Sequence, residues 1–324
     1  MARVVVTGSS GKLGRHVVRE LAGAGWEVIG LDSKLSPDPE AETIIVDLSD
    51  YGQTFSALTA VDTWYSQAVD AVVHLAAIPA PGIRTDAATF HNNVTCTYNV
   101  FSAAWRAGIR NVVWASSETV LGLPFDEPPP YVPVDEEYTP RPNSSYSLCK
   151  TLEEEMARQF CRWEPELKMI GLRFSNVMDP ANYAEFPSFD ADAQLRKWNL
   201  WAYIDGRDGA QAVRRALEYE AKGTDVFVIA SPDTVMSRPN QELLAEVFPD
   251  VPLKRAVSEH ETLLSIDKAR CLLGYRPLYS WRTEVSGVGG AGSGDAGVGE
   301  AGKAAAAGGS AAAATAAESE AAPE

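Results

Sequence analysis

At 324 residues the chain is long enough for one large α/β domain or two smaller ones, with apolar residues enough for a sizeable core. A formal net charge of −16, with no compensating basic patch, excludes nucleic acid and anionic membrane surfaces as partners. No run reaches the ~18 apolar residues of a membrane span. Met1 leads straight into an apolar run, and Cys96, Cys149, Cys161 and Cys271 form no C-x-x-C pair. A cytoplasmic protein with idle thiols and no metal site is therefore expected.

The first element lies in "VVVTGSSGKLGRHVVREL", Val4 to Leu21. Its β-branched start reads as a buried strand, and Leu13, Val17, Val18 and Leu21 recur on one helical face. Between them Gly8, Gly11 and Gly14 form a G-x-x-G-x-x-G turn. Such a turn lets the backbone approach a diphosphate, whose charge meets the free N–H groups of the helix N-terminus. Gly8, Gly11, Lys12, Leu13 and Gly14 are then expected to line a dinucleotide; a tight strand-to-helix connection without a ligand is the plainer alternative. The second strand-like run, Glu27 to Leu31, ends at Asp32, where a carboxylate accepts hydrogen bonds from ribose hydroxyls and repels a 2′-phosphate, favouring NAD over NADP. After the third run, Thr43 to Val46, Asp47 and Leu48 are placed to meet an adenine, although Asp47 also suits a plain turn. Runs at Ala71 to Leu75, Asn111 to Ala115 and Lys168 to Arg173 alternate with helical patterns, the rhythm of a parallel, doubly wound α/β sheet.

Between Gly122 and Asn143 seven prolines interrupt this rhythm, predicting a long loop that serves a site. In "NSSYSLCKTLEEE" Tyr146 and Lys150 then share one helix face. The ammonium is expected to lower the phenol pKa toward working pH, so that Tyr146 exchanges a proton with a substrate hydroxyl while a serine at the end of the fifth strand polarises the same oxygen. An exposed helix pair is the alternative. After Phe174 a helical stretch ends near Trp198, a short extended piece and a helix follow, and Val226 to Ala230 is another strand. From Val285 the chain is Ala- and Gly-rich without an aromatic residue, which predicts disorder for 285–324.

"TGSSGKLG", "HLAA", "NNVTCTYNV", "SSETVLG", "YSLCK" and "LRFSNV" together resemble, in order and spacing, the extended short-chain dehydrogenase/reductase family, also called the NAD-dependent epimerase/dehydratase family. The resemblance implies a Rossmann-type domain over 1–175 with 207–231 packing back onto it, and a small substrate cap over 176–284. It implies Ser117, Tyr146 and Lys150 as catalytic residues, with Lys150 also on the nicotinamide ribose. Leu75, Ala76, Ala77 and Asn93 would lie at the cofactor, with His74 structural, and Ser116, Ser117, Glu118 and Asn176 at the substrate. Each asparagine also suits a helix or turn cap, and Glu118 suits either substrate hydroxyls or solvent. A homodimer through the helices Asp86 to Gly108 and Ser147 to Trp163 is implied as well.

The departures bear on the substrate. Cys96 and Leu121 stand where the family pattern has glycine and tyrosine, and the span from Asn176 to Tyr203 is short for a nucleotide-holding cap. The expectation is an NAD-dependent dehydrogenase of a free sugar or uronate, with a nucleotide-sugar 4-epimerase as the first alternative and a non-catalytic NAD sensor as the second.

Overall fold

The computed structural model describes residues 2–36, 42–59 and 68–288. Strands β1 (Arg3–Thr7), β2 (Glu27–Asp32), β3 (Glu42–Ile45), β4 (Ala71–His74), β5 (Asn111–Ser117) and β6 (Lys168–Phe174) are joined by helices α1 (Lys12–Gly23), α2 (Tyr51–Thr59), α3 (Asp86–Arg106) and α4 (Ser145–Trp163). A short strand β7 (Val177–Met178) pairs with β8 (Ile204–Asp205), which runs into α5 (Gly206–Glu218) and β9 (Gly223–Ile229). Helices α6 (Asn240–Val247) and α7 (Trp281–Val288) complete the chain order.

One parallel seven-stranded sheet runs β3-β2-β1-β4-β5-β6-β9. Its inner strands are apolar on successive residues, as in Val4–Val6 and Val72–Val73, because helices cover both faces and neither alternates with solvent. Helices α1 and α5 pack on one face. On the other, α2, α3 and α4 enclose an aromatic centre in which Phe101 meets Trp114 and Phe160 edge to face.

The region after β6 does not form a separate core. Helix α5 lies beside α1, where Arg214 pairs with Glu20 at 2.7 Å, and β9 adds to β6 as the last strand of the sheet. The proline-rich loop is tied across the molecule: Val132 N–H donates to Pro252 O at 3.0 Å and Val134 N–H to Leu263 O at 2.9 Å.

Two expectations are corrected. The stretch ending near Trp198 is no α-helix but three 3₁₀ turns, Pro180–Ala191, Ala193–Leu195 and Lys197–Asn199. Pro187 sits inside the first of them, and the series stops at Leu200 and Trp201, both left-handed at φ 56° and 57° and both fully buried. At the C-terminus, α7 carries order past Val285 to Val288, with Glu284 paired to Arg207 at 2.9 Å. Residues 289–324, the remainder of the expected disordered tail, lie outside the described residues.

Candidate active site

The glycine turn leaves the sheet at the C-terminal end of β1. Gly8 takes φ +70°, and a Cβ there would lie 2.7 Å from Ala76 N, while one on Gly14 would lie 2.1 Å from Gly8 O. The turn is thus folded tightly on itself and against the residues after β4. Gly11 caps α1 without a side-chain hydrogen bond, which leaves the first-turn N–H groups open to an anion. Asp32 stands beside this turn: its carboxylate accepts from Ser10 N–H at 3.0 Å and Lys34 N–H at 3.2 Å. A backbone cradle that side chains would fill, bordered by a carboxylate at the end of β2, fits a dinucleotide diphosphate and its ribose.

Other expected cofactor residues are positioned indirectly. Lys12 reaches Val177 O at 3.3 Å, and Leu13 packs in the α1–α5 cluster. Leu75 and Ala76 donate to Thr7 Oγ1 at 3.2 and 3.3 Å, and Ala77 continues the same loop. Asn93 accepts from Ile78 N–H at 2.8 Å and donates to Ile78 O at 3.0 Å, so it clamps this loop. Asp47 accepts from Ser49 N–H and Oγ in an exposed turn, which holds its carboxyl below the usual range, and Asn99 holds Leu48 O at 2.9 Å.

At the C-terminal end of β5, Ser117 faces the start of α4. Its Oγ accepts from Thr119 N–H at 3.1 Å and Thr119 Oγ1 at 3.0 Å, so its own proton points onward. Tyr146 lies one residue inside α4, whose start is fixed by the reciprocal hydrogen bonds of Ser144 and Ser147. Ser117 is close enough to favour the ionised phenol. Lys150 Nζ lies 5.8 Å from the Tyr146 ring centroid and donates to Ala115 O at 2.8 Å and Glu153 Oε2 at 2.9 Å. Burial is the largest influence on Tyr146 and raises its pKa; Lys150 opposes this, and Glu153 reinforces it. The lowering expected from Lys150 is therefore present but outweighed. Burial also works against the Lys150 ammonium, which keeps its proton because Glu153 faces it.

Ser116, the neighbouring residue on the strand, points to the opposite face. Its hydroxyl donates to Glu154 Oε1 at 2.7 Å, and Arg173 grips the same carboxylate with Nε and Nη2 at 2.9 and 2.8 Å. The structure thus does not bring Ser116 to the Ser117–Tyr146 cluster. Glu118 is 3% exposed, which removes the solvent-facing alternative. Burial pushes its carboxyl up to about 7 against the pull of Ser175, Asn199, Arg196 and the Asn176 backbone. Asn199 Nδ2 donates to Glu118 Oε1 at 3.2 Å. Asn176 gives its carbonyl to Ile204 N–H at 3.0 Å, and its side-chain amide has no hydrogen-bond partner among the described residues.

Thr119, Glu153, Asn199 and Arg196 were not singled out from the sequence. The S-x-T spacing after β5 and the K-x-x-E spacing on α4 are local signals for the first two. Asn199 and Arg196 meet Glu118 only through the turns of the 193–201 segment.

A Rossmann-fold enzyme with a serine, a tyrosine and a lysine gathered beside a dinucleotide cradle is the class that this arrangement defines. The chain belongs to the NAD dependent epimerase/dehydratase family, whose model matches residues 4–230. NAD is the cofactor of that family. The chain is 31% identical over 211 residues to the UDP-glucose 4-epimerase of Erwinia amylovora, a match covering 62% of this chain and 60% of that protein. It is 28% identical over 181 residues to the UDP-glucose 4-epimerase of Bacillus subtilis (strain 168), covering 53% of this chain and 52% of that one. The chain thus spans between half and three fifths of the length of these curated relatives. Among solved structures, a UDP-galactose 4-epimerase superposes with a TM-score of 0.62 at 27% identity, covering 87% of this chain and 96% of that one. Among the described residues no helix is long and apolar enough to cross a membrane.

Proposed function

We propose that the chain is a nucleotide-sugar 4-epimerase acting on a UDP-hexose. The gathering of Ser117, Tyr146 and Lys150 beside the Gly8–Gly14 cradle carries this reading, and the named activities of its relatives support it over the free-sugar or uronate dehydrogenase expected from the short cap. Bound NAD supplies a reversible hydride acceptor. Tyr146 takes the proton of the sugar hydroxyl on the carbon that changes configuration and returns it to the same oxygen. Ser117, with both lone pairs engaged by Thr119, donates its hydrogen bond to that oxygen as charge develops there. Lys150 keeps a positive charge beside the phenolate.

The dehydrogenase remains the rival reading, favoured by the segment between Asn176 and Tyr203, which folds into short 3₁₀ turns rather than longer helices. Incubation with UDP-glucose and NAD, followed by NMR of the sugar and absorbance of NADH, separates the two. Conversion to UDP-galactose without net NADH is the expected result. NADH accumulating with a free sugar or uronate, and no conversion of UDP-glucose, overturns the epimerase.

We further propose that two copies associate through α3 and α4, which leave Phe90, Tyr98, Leu148 and Trp163 between 39% and 50% exposed.

A further inference from the structure

Glu153 has no solvent contact, and its ion pair with Lys150 sits directly behind Tyr146. The hydrogen bonds from Thr7 through His74 to Thr97 have one consistent direction. Thr7 Oγ1 accepts from Leu75 N–H and Ala76 N–H, so its own proton goes to His74 Nδ1, 2.7 Å away. Burial pushes His74 down to about 3, so the ring is neutral and its one proton lies on Nε2, which faces Thr97 Oγ1 at 3.1 Å. Beyond Thr97, Lys150 donates to Glu153 Oε2 at 2.9 Å. Burial raises the Glu153 carboxyl above its ordinary value, while the Lys150 ammonium and the nearby Thr97 hydroxyl favour its ionised form. The opposite direction would leave the Thr7 hydroxyl proton without an acceptor. The donors of Thr7 and His74 thus point toward the Glu153 side, and the 2.9 Å contact with the Lys150 ammonium is the place of a carboxylate.

We propose that Glu153 is a positioning residue that acts through Lys150: its buried negative charge offsets the ammonium and keeps Tyr146 protonated until the surroundings are well into the alkaline range. The role of Glu153 in catalysis rests on the reading of Tyr146 as acid and base, but its electrostatic effect does not. With Glu153 ionised, the phenol and ammonium lose a proton from a neutral trio and leave a buried net negative charge. With Glu153 neutral they lose it from a positive pair and leave none. The first loss is the harder, whichever of the two groups gives up the proton.

The other titratable groups around Glu153 do not mimic this effect. On α4 they are Cys149, pushed up to about 11 mainly by burial, and Glu154, tied to Arg173. On α3 there is Cys96, also pushed up to about 11 mainly by burial, and on β4 the neutral His74. Glu118 faces Tyr146 from the turn after β5 and is raised only to about 7, so above pH ~8 its charge is the same in all variants.

The test titrates Tyr146 directly, by the ultraviolet absorbance of tyrosinate in the full chain, taken as the difference from Tyr146→Phe over the range in which circular dichroism is constant. In Glu153→Gln the midpoint is expected to fall by at least about one pH unit, the size of a nearby-charge effect. Glu153→Asp, which keeps the charge, is expected to restore most of the shift. The same downward shift in Glu153→Gln should appear in the pH profile of kcat/KM for whichever sugar is turned over. Equal midpoints in folded wild type and Glu153→Gln overturn the proposal. Should Glu153→Gln not fold, the wild type alone decides: a Tyr146 midpoint below about 8 overturns the proposal, and one at or above the free-phenol value of about 10 supports it. Because the absorbance requires no substrate, a failure of the epimerase reading leaves this result standing and distinguishable.

Discussion

Thr119 holds Ser117 by two hydrogen bonds into one oxygen, from its amide at 3.1 Å and its hydroxyl at 3.0 Å. The Ser117 proton is left with one direction, toward the space beside Tyr146. Thr119→Val keeps the amide bond and removes the hydroxyl. Turnover is expected to fall about tenfold with little change in KM, as for a donor aimed less well at developing charge, while Ser117→Ala should cost at least about a hundredfold. Steady-state kinetics with the sugar that is turned over checks both; an unaltered kcat in Ser117→Ala would remove the serine from the mechanism.

Asp32 accepts from Ser10 N–H and Lys34 N–H, so its carboxylate is fixed at the rim of the cradle. The double substitution Asp32→Ser with Ser33→Arg exchanges repulsion of a 2′-phosphate for attraction. Binding measured by calorimetry should move from NAD toward NADP by at least about tenfold in the ratio of dissociation constants. A wild type that already prefers NADP would contradict the assignment.

Glu118 makes stability depend on pH. Its carboxyl titrates at about 7 in the fold against an ordinary 4.5. Between those values the folded chain binds more protons than the unfolded one, so stability falls as pH rises through the interval and is lowest above about 7. Glu118→Gln removes this loss. Its stability relative to wild type should therefore grow from pH 4.5 to pH 8 by about 3 kcal/mol, measured by urea unfolding at each pH. Parallel pH curves for the two proteins would place the Glu118 carboxyl in the ordinary range.

Tyr98 and Leu148 are exposed on α3 and α4 at 48% and 41%. Carboxylates there would face their own counterparts across a twofold interface. Tyr98→Glu with Leu148→Glu is expected to sediment as a monomer with an unchanged circular dichroism spectrum where the wild type sediments as a dimer. A wild-type monomer would dispose of the proposed association.

Trp281 anchors α7. It is 6% exposed, its Nε1 donates to Thr234 O at 2.8 Å, and its ring meets Phe186 at 5.6 Å. A chain ending at Val288 should melt where the full chain does, since residues 289–324 offer no aromatic group and little but Ala, Gly and acids to bury. One ending at Ser280 should lose about 3 kcal/mol or more, as when a buried aromatic side chain is removed. Comparable melting of the two shortened chains would refute the anchor.

What could be read from the sequence was what depends on spacing along the chain. The Gly8–Gly14 turn, Asp32 at the end of β2 and the Tyr146–Lys150 pair are contained within single strand-to-helix or helical units, so periodicity and turn chemistry expose them. Glu118 was visible as a carboxylate beside Ser117, yet its burial depends on Asn199, which arrives by the left-handed turn at Leu200 and Trp201. No propensity foretells two bulky residues in that conformation; the packing of both side chains in the core imposes it. The 180–199 segment misled because Tyr183, Phe186 and Phe189 suit a helical face, whereas Pro187 lies inside the stretch and removes a backbone donor, and the chain takes tight turns instead. Ser116 and Ser117 are adjacent in sequence, and only the strand alternation decides that one meets Glu154 and the other Tyr146.

The position of β9 has a consequence for synthesis. All seven residues of β6 are buried, and its outer edge is paired only by a strand that ends 55 residues later, at Ile229. A nascent chain released as far as Phe174 would carry the whole dinucleotide cradle and also a bare, apolar, parallel edge, the kind of surface on which other chains add. A chain that stops at Phe174 is therefore expected to associate through that edge, and the sheet is closed only once β9 has been made.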